Sequence, residues 1–292
     1  MVPDEVSVVL LGTAQDGGVP QAGCGCDRCI TALRDASKAL HPACCLVKGS
    51  DGSLHLIEAT RALPQQLGIA ARSLGIGNTI VPDTVTLTHA HLGHIDGLGQ
   101  FGKEVMGSSG TSLFASKSVI DFIRKRGLVY PFDVKNVESS VPFSPSGRCG
   151  FQFELIAVPH RDDFSDTHAV KVIGPSSSLL FLPDHDDWGG TLDMVGQSSI
   201  REWLNSLKID FALIDGTFWS GDELEGRDMT QVPHPPISDT VGRLGRKEDE
   251  DPEVIFFHIN HTNPVLDRGS VEYRELSSLG WSIGEQGSTF VL

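Results

Sequence analysis

The sequence has few cations, few cysteines and no long apolar run, and each shortage excludes a class of protein. Its 292 residues include 23 Lys and Arg against 38 Asp and Glu, so the formal net charge is −15. Proteins that bind nucleic acid mainly through phosphate charge need clustered cations, and the densest group here is Arg124, Lys125 and Arg126. No apolar stretch approaches the roughly 18 residues that cross a bilayer, and the N-terminus lacks a signal-peptide pattern. We therefore expect a cytoplasmic protein that binds neither nucleic acid nor membrane.

The cysteines are too few for a disulfide framework in a chain of this length. Cys24, Cys26 and Cys29 nevertheless lie together in a CxCxxC motif. In a reducing compartment, that density favours a bound metal over a disulfide. Three free thiols in a loop are the alternative, although closely spaced unliganded thiols are prone to oxidation.

Short β-rich runs recur along the chain and alternate with helix-like segments. The predicted strands are 6–11, 44–47, 54–58, 84–88, 153–158, 169–173, 179–182, 211–214, 254–257 and 289–292. The predicted helices are 26–36, 61–74, 97–106, 117–126, 198–206, 237–244 and 270–279. Since no linker or repeat divides the chain, we predict one α/β domain over residues 1–292, with helices outside a layered sheet. Residues 220–236 form a long polar loop that could cover a site.

The strongest chemical signal is a group of histidines directly after the predicted strand 84–88. His89 and His91 are two residues apart, so along a strand they point to the same face and can bind one metal ion. His94 follows where a helix would begin and can face a neighbouring position. A single histidine is more often a core or surface residue, but three with this spacing favour metal binding.

Three further ligand-type residues follow predicted strands. His160 comes after strand 153–158, Asp184 after 179–182 and His258 after 254–257. An ionisable residue at the end of an apolar strand lies at the sheet edge, where open sheets build their sites. The acidic run that begins at Asp184 could instead be a solvated turn, but Asp184 itself directly follows the strand and a proline.

The order HxHxxH, His, Asp, His, each at a strand end, resembles the metallo-β-lactamase superfamily, whose fold is a four-layer αββα sandwich. More narrowly, LGTAQDGGVPQ before CxCxxC, and HINHTNP near the end, resemble the family of coenzyme PQQ synthesis protein B. The resemblance spans nearly the whole chain. It implies that one metal ion is bound by His89, His91 and His160, and a second by His94, Asp184 and His258, with Asp184 able to bridge.

One position departs from the superfamily pattern. HxHxDH has an aspartate where this chain has Gly93, so the second ion loses a carboxylate ligand. Asp96 is expected to support a histidine rather than replace that ligand. A single ion, or a weakly bound second one, is therefore an alternative to two ions. The Gly-rich stretch 12–18 is expected to form a tight turn near the site, with Asp16 able to contact it.

The cysteine motif needs a fourth ligand to close a tetrahedral zinc site. In phosphoribosyl cyclic phosphodiesterases of the superfamily, which this chain resembles less closely, that ligand is a histidine three residues after the last active-site histidine. The corresponding residue here is His261. The resemblance thus implies a structural zinc bound by Cys24, Cys26, Cys29 and His261, which pins the N-terminal loop to the C-terminal strand.

The expected reaction is hydrolysis of a small substrate. One or two ions of zinc, iron or manganese bound by histidines bring the pKa of bound water to near 7, and the hydroxide attacks an ester, lactone, thioester, amide or phosphodiester. Asp184 would orient the nucleophile. His234, in the loop 220–236, could act as the general acid, with Asp215 in a supporting role. A rigid surface loop in which His234 has no catalytic part is the alternative.

Two other functions fit the same residues. Histidines with a carboxylate also suit non-haem iron, and the PQQ-linked resemblance implies an oxygenase acting on a tyrosine-derived or amino-acid-like substrate. A metal-binding scaffold without turnover is the third possibility, because Gly93 replaces a ligand. The substrate, the metal, the oligomeric state and any part in PQQ synthesis stay open from the sequence.

Overall fold

The structure, a computed structural model, describes residues 5–77, 80–224, 226 and 228–292. The strands of its described part are β1 Ser7–Gly12, β2 Cys44–Lys48, β3 Leu54–Ile57, β4 Thr84–Thr86, β5 Ser112–Ala115, β6 Asp133–Asn136, β7 Gln152–Val158, β8 Thr167–Ile173, β9 Ser178–Leu182, β10 Phe211–Asp215, β11 Glu253–Phe257, β12 Ser282–Ile283 and β13 Thr289–Val291. The α-helices are α1 Asp27–Arg34, α2 Leu63–Leu74, α3 Leu92–Ile95, α4 Lys117–Lys125, α5 Trp188–Val195, α6 Ile200–Ser206, α7 Ile237–Leu244 and α8 Val271–Ser278. None of these described helices has both the length and the hydropathy that a membrane crossing requires.

The strands form two sheets. The first has the order β13-β1-β2-β3-β4-β5-β6, and the second has the order β12-β11-β10-β9-β8-β7. Strands β3 to β6 run parallel to one another, as do strands β9 to β12. Because parallel strands end at the same edge of their sheet, the segments that follow β3 and β4, and those that follow β9, β10 and β11, come together there.

Alternating side chains along the strands produce three apolar layers. In β1, Val8 and Leu10 lie in the layer between the sheets, together with Phe181 of β9. Val9 and Leu11 belong to the opposite layer, which contains residues of α2 and α4. The outer face of the second sheet packs against residues of α5 to α8. The layers are therefore helix, sheet, sheet and helix, as predicted.

The predicted helix 97–106 is wrong. Only a 3-10 turn, Leu98–Phe101, forms within it. The segment contains Gly97, Gly99 and Gly102, and each glycine disfavours a helix by about 1 kcal/mol relative to alanine. Strands β5 and β6 and helix α5 were not predicted: β6 is a largely exposed edge strand, and α5 contains two glycines in its first turn.

Candidate metal centre

Histidines and carboxylates from both sheets converge at the edge where the parallel strands end. β4 leads to His89 and His91, and His91 is the N-cap of α3, which carries His94. The other sheet supplies His160, Asp184 and His258 after β7, β9 and β11, respectively. All six side chains are buried. His258 has a φ of 59°, a left-handed conformation that is uncommon for a residue with a side chain and is concentrated at functional sites.

The first donor group consists of His89, His91, His160 and Asp184, whose ligand atoms all lie within 4.8 Å of one another. His89 Nε2 is 2.9 Å from His91 Nδ1, and His160 Nε2 is 3.6 Å from Asp184 Oδ1. Burial lowers the pKa of His91 and of His160 to about 4. Their imidazoles are therefore neutral at neutral pH, which is the form that binds metal.

The second donor group consists of Asp16, His94 and His258. His94 Nε2 lies 3.1 Å from Asp16 Oδ1, and His258 Nε2 lies 3.6 Å from the same oxygen. Asp184 Oδ2 is 3.2 Å from His94 Nε2 and 3.5 Å from His258 Nε2. Asp184 thus directs one oxygen to each group, which is the arrangement expected of a bridging carboxylate.

Asp16 occupies the space that the superfamily aspartate would need. A Cβ added to Gly93 would lie 2.2 Å from Asp16 Cγ, closer than any side chain can approach. A carboxylate from the loop after β1 therefore lies where the superfamily pattern places one at residue 93. The sequence predicts that Asp16 lies near the site but does not indicate it as a ligand-type residue of the second group.

The charge balance of this centre fits a bound cation. Five buried atoms that face the two groups have no hydrogen-bond partner among the described residues: Asp16 Oδ1, His94 Nε2, His160 Nε2, Asp184 Oδ2 and His258 Nε2. Unpartnered buried polar atoms are costly, and metal ions bound at the two groups would satisfy them. Burial opposes protonation of His258, but Asp184, Asp16 and Asp215 raise its pKa to about 10. The surrounding carboxylates therefore favour a positive charge at this point.

Further polar residues orient the histidines. Thr88 Oγ1 lies 2.8 Å from His89 Nδ1, Asp186 Oδ1 lies 3.2 Å from His160 Nδ1, and Thr217 Oγ1 lies 2.8 Å from His258 Nδ1. Such contacts fix which ring nitrogen is free for a metal.

Asp96, predicted to support a histidine, is instead exposed. Glu58 is the residue that sequence reasoning missed.

Glu58 is fully buried, with a φ of 70°, at the end of β3. Its Oε1 accepts a hydrogen bond from Thr88 N at 3.1 Å and lies 3.6 Å from His94 Nδ1. It therefore joins the end of β3 to the start of the histidine motif. The available signal was an acidic residue directly after an apolar strand, the same signal that selected Asp184.

His234 and Asp215 form a pair beside the first donor group. His234 Nδ1 donates to Asp215 Oδ2 at 2.7 Å, and His234 Nε2 is 4.0 Å from Asp184 Oδ1. Burial opposes ionisation of Asp215, but His234 and His258 lower its pKa. Within the loop 220–236, Glu225 and Arg227 lie outside the described residues. Phe218 lines a cavity beside His234, and Trp219 packs against the outer core of the second sheet.

The CxCxxC cysteines form a separate cluster with His261. Cys24 Sγ and Cys26 Sγ lie 3.6 Å and 3.7 Å from His261 Nδ1, and Cys29 Sγ completes a group whose atoms lie within 4.8 Å of one another. Burial opposes ionisation of Cys26, but backbone N–H groups, that of Cys29 foremost, lower the pKa of its thiol. The four side chains have the composition of a closed zinc site.

Comparison with known proteins identifies the family. A family model described as a beta-lactamase superfamily domain matches residues 76–259, which is more than half of the chain. The chain belongs to the metallo-β-lactamase superfamily. The matched residues include the histidine motif, His160, Asp184 and His258, and the predicted αββα sandwich is confirmed.

The relatives within the superfamily include proteins of PQQ synthesis. Coenzyme PQQ synthesis protein B of Bradyrhizobium diazoefficiens is 26% identical over 313 residues, covering 98% of this chain and 99% of the relative. Zn(2+)-bound PqqB from Methylobacterium extorquens has a similar fold, with a TM-score of 0.72 and 21% identity over 98% of this chain and 100% of that chain. A diphosphatase from the PhnP family has a TM-score of 0.68 and 18% identity over 99% of this chain and 97% of that chain. The chain is thus a PqqB-like member of the superfamily.

Proposed function

We propose that this protein is a metal-dependent hydrolase of a small molecule. The observation that carries the proposal is the convergence of two buried donor groups on Asp184, one of three histidines and the other of Asp16, His94 and His258. Two adjacent ions held by such groups are typical of metal-dependent hydrolases. Asp16 supports the two-ion form, because it supplies the carboxylate that Gly93 lacks.

The residues around the donor groups have distinct roles in this proposal. Zinc or manganese bound there would lower the pKa of a coordinated water and polarise the carbonyl or phosphoryl oxygen of the substrate. Asp184 accepts a hydrogen bond from the attacking water and orients it. His234, protonated on Nε2, donates a proton to the leaving group, while Asp215 holds its Nδ1–H and stabilises the imidazolium.

We also propose that Cys24, Cys26, Cys29 and His261 bind a structural zinc. The cluster joins the loop after β1 to the segment after β11, three residues beyond His258. Four protein ligands leave no open coordination position, so this ion would take no part in the reaction. Its effect would be to hold the loop that carries Asp16 against the centre.

A second candidate function has its own supporting observation. Asp16, His94 and His258 are two histidines and one carboxylate, the ligand set typical of non-haem iron oxygenases. The similarity to relatives named coenzyme PQQ synthesis protein B supports this candidate, and the substrate that the sequence resemblance implies for it is tyrosine-derived or amino-acid-like. Oxygen consumption by the iron-loaded protein would support this candidate, and turnover of an ester or phosphodiester by the zinc- or manganese-loaded protein would support the hydrolase.

Metal analysis of three proteins tests both metal assignments. We expect His91→Ala to lose active-site metal and all turnover while keeping its fold and its cysteine-bound zinc. Cys26→Ala should lose one zinc per chain and become less stable, because three ligands no longer close the site. The measurement is elemental analysis of wild type and both variants, with turnover of 4-nitrophenyl esters and bis(4-nitrophenyl) phosphate. Equal metal content in all three would contradict both assignments, and stable metal without turnover would indicate a scaffold.

A further inference from the structure

A small cavity opens beside the metal centre. It has a volume of about 250 Å³ and is lined by residues that include His234, Arg161, Asn260, Phe218 and Val232. His234 Nε2 lies 4.0 Å from Asp184 Oδ1, so one end of the cavity adjoins the proposed reaction centre. The cavity is therefore the space in which the part of a substrate next to the reacting group would lie.

The charge of this cavity differs from that of the whole chain. The protein has 38 acidic and 23 basic residues, yet none of the described residues that line the cavity is acidic. Arg161 is the one lysine or arginine among those described lining residues. The other polar groups are amides, hydroxyls and imidazoles, which can donate hydrogen bonds to an anion. The lining thus favours a negatively charged group in an otherwise acidic protein.

Arg161 is held in position but its charge is weakly paired. Its backbone N–H donates to Asp186 Oδ1 at 3.3 Å, the same oxygen that contacts His160, and its Nη1 donates to Gln231 O at 3.3 Å. Its ion pair in the described part of the chain is with Asp163, which is 56% exposed and 3.9 Å away. The buried Nε has no partner among the described residues.

A purely structural arginine would not have these features. Exposed ion pairs at such a distance contribute little to stability, and a buried guanidinium nitrogen without a partner destabilises the fold. Arginine does, however, bind carboxylates and phosphates strongly, through two parallel hydrogen bonds. The Arg161 side chain is 30% exposed and lines the cavity, so an anion there would accept from its terminal guanidinium nitrogens.

We propose that Arg161 binds an anionic group of the substrate, a carboxylate or a phosphate, while the reacting ester or amide lies at the metal centre. Phe218 and Val232 contact the apolar part that joins the two groups. The inference rests on the proposed function, in that it assigns the substrate class of that site. It makes Arg161 a specificity-determining residue. It predicts that the enzyme discriminates between substrates with and without the anionic group, which a pocket without a charged residue would not do.

Matched esters test this assignment. 4-Nitrophenyl hexanoate and mono-4-nitrophenyl adipate differ in a terminal methyl against a carboxylate, and the 5-phosphonopentanoate ester carries a phosphonate instead. The four-carbon spacing keeps the terminal anion from attacking its own ester. We expect the wild type to have a lower KM for the charged esters than for the neutral one. Comparison of the carboxylate ester with the phosphonate ester then shows which anion is preferred. In Arg161→Gln, KM for the preferred charged ester should rise about tenfold or more, with hexanoate hydrolysis changed less than twofold. Arg161→Lys should recover part of the loss.

Controls separate this inference from damage to the centre. Arg124→Gln removes the same charge from an exposed position on α4 and should leave all KM values unchanged. Metal content must be equal in all variants, because Arg161 adjoins His160. An equal loss for charged and neutral esters, or no loss, would overturn the role of Arg161. If the wild type hydrolyses no ester, the hydrolase proposal fails by itself, and calorimetric titration with the same adipate ester still decides whether Arg161→Gln weakens binding of the anion.

Discussion

The superfamily pattern has a carboxylate at residue 93, but this chain has glycine there and places the carboxylate of Asp16 in that space. Single residues thus determine the composition of the second donor group. The convergence of the histidines could be predicted from sequence, because their spacing and their places at strand ends are local properties. Asp16 could not, since its role depends on which side chain fills one point between two distant segments. Glu58 carried the local signal of an acidic residue at a strand end, but its partners, Thr88 and His94, come together with it only when β3 and β4 pair.

A double substitution tests whether the two positions are interchangeable. Asp16→Gly removes a ligand-type carboxylate from the second group and should weaken binding of the second ion by at least about tenfold. Adding Gly93→Asp should restore much of that affinity, because the clash with Asp16 is then absent. Metal titration of both variants, and of Gly93→Asp alone, measures the effect. If the double variant binds no better than Asp16→Gly, the carboxylates do not share one position.

His55 provides a pH dependence that does not involve the metal centre. It is fully buried between Ser53 Oγ and Thr84 Oγ1, at 2.7 Å and 2.9 Å, and burial lowers its pKa to about 4, against the weaker opposing effects of Asp83 and Asp51. As the pH falls, His55 of the unfolded chain binds a proton at a higher pH than His55 of the folded chain does. The contribution of His55 to the free energy of unfolding is therefore fully present above about pH 6.5 and falls as the pH drops towards 4.

The expected loss from His55 alone is at most about 3 kcal/mol between pH 6.5 and 4. His55→Gln removes the titrating group, so its free energy of unfolding should fall less over the same interval. Urea unfolding of both proteins across this range measures the difference, in which changes at the metal centre cancel. Parallel curves for the two proteins would mean that His55 does not contribute.

Among the elements, the short helix α3 is positioned by a backbone contact that no hydrophobic pattern reveals. Gly97 N donates to Ala59 O at 2.7 Å, and Ala59 N donates to His94 O at 2.9 Å. The segment after β3 and the end of α3 therefore lie directly against each other. The periodicity that suggested a helix over residues 97–106 cannot report such an approach, because glycine has no side chain to enter the pattern.

Two glycines in one turn supply a matched test of this contact. A Cβ at Gly97 would lie 2.1 Å from Thr60 O, whereas a Cβ at Gly99 would meet nothing within 4 Å. Gly97→Ala should cost about 1–3 kcal/mol and weaken metal binding, since neighbouring backbone must shift near His94. Gly99→Ala should change stability by no more than about 0.5 kcal/mol. Chemical unfolding and metal titration would check both, and equal behaviour of the two variants would contradict the close approach.

The order of layers in the fold could be predicted from sequence, whereas the assembly of the metal centre could be predicted only in part. Apolar runs such as those of β1 and β9 alternate between two buried faces, which indicates a sheet covered on both sides. Which strands are neighbours is a long-range property, and β5 and β6 extend the first sheet without a clear pattern of their own. The family resemblance, rather than periodicity, supplied the pairing of His89 with His160 across the two sheets.

Because the proposed ligands come from both sheets, metal binding should stabilise the molecule as a whole. An ion present at a thousand times its dissociation constant adds about 4 kcal/mol to the free energy of unfolding if it binds only the folded chain. Zinc-loaded wild type should therefore unfold at a higher temperature than chelator-treated protein.

In His160→Ala, which removes the second sheet's histidine from the first group, the increase in unfolding temperature should be smaller but not zero, because the cysteine site still binds zinc. His55→Gln, as a buried histidine outside both groups, should retain the full increase. An equal increase in His160→Ala and wild type, measured by calorimetry, would mean that the ion does not join the sheets.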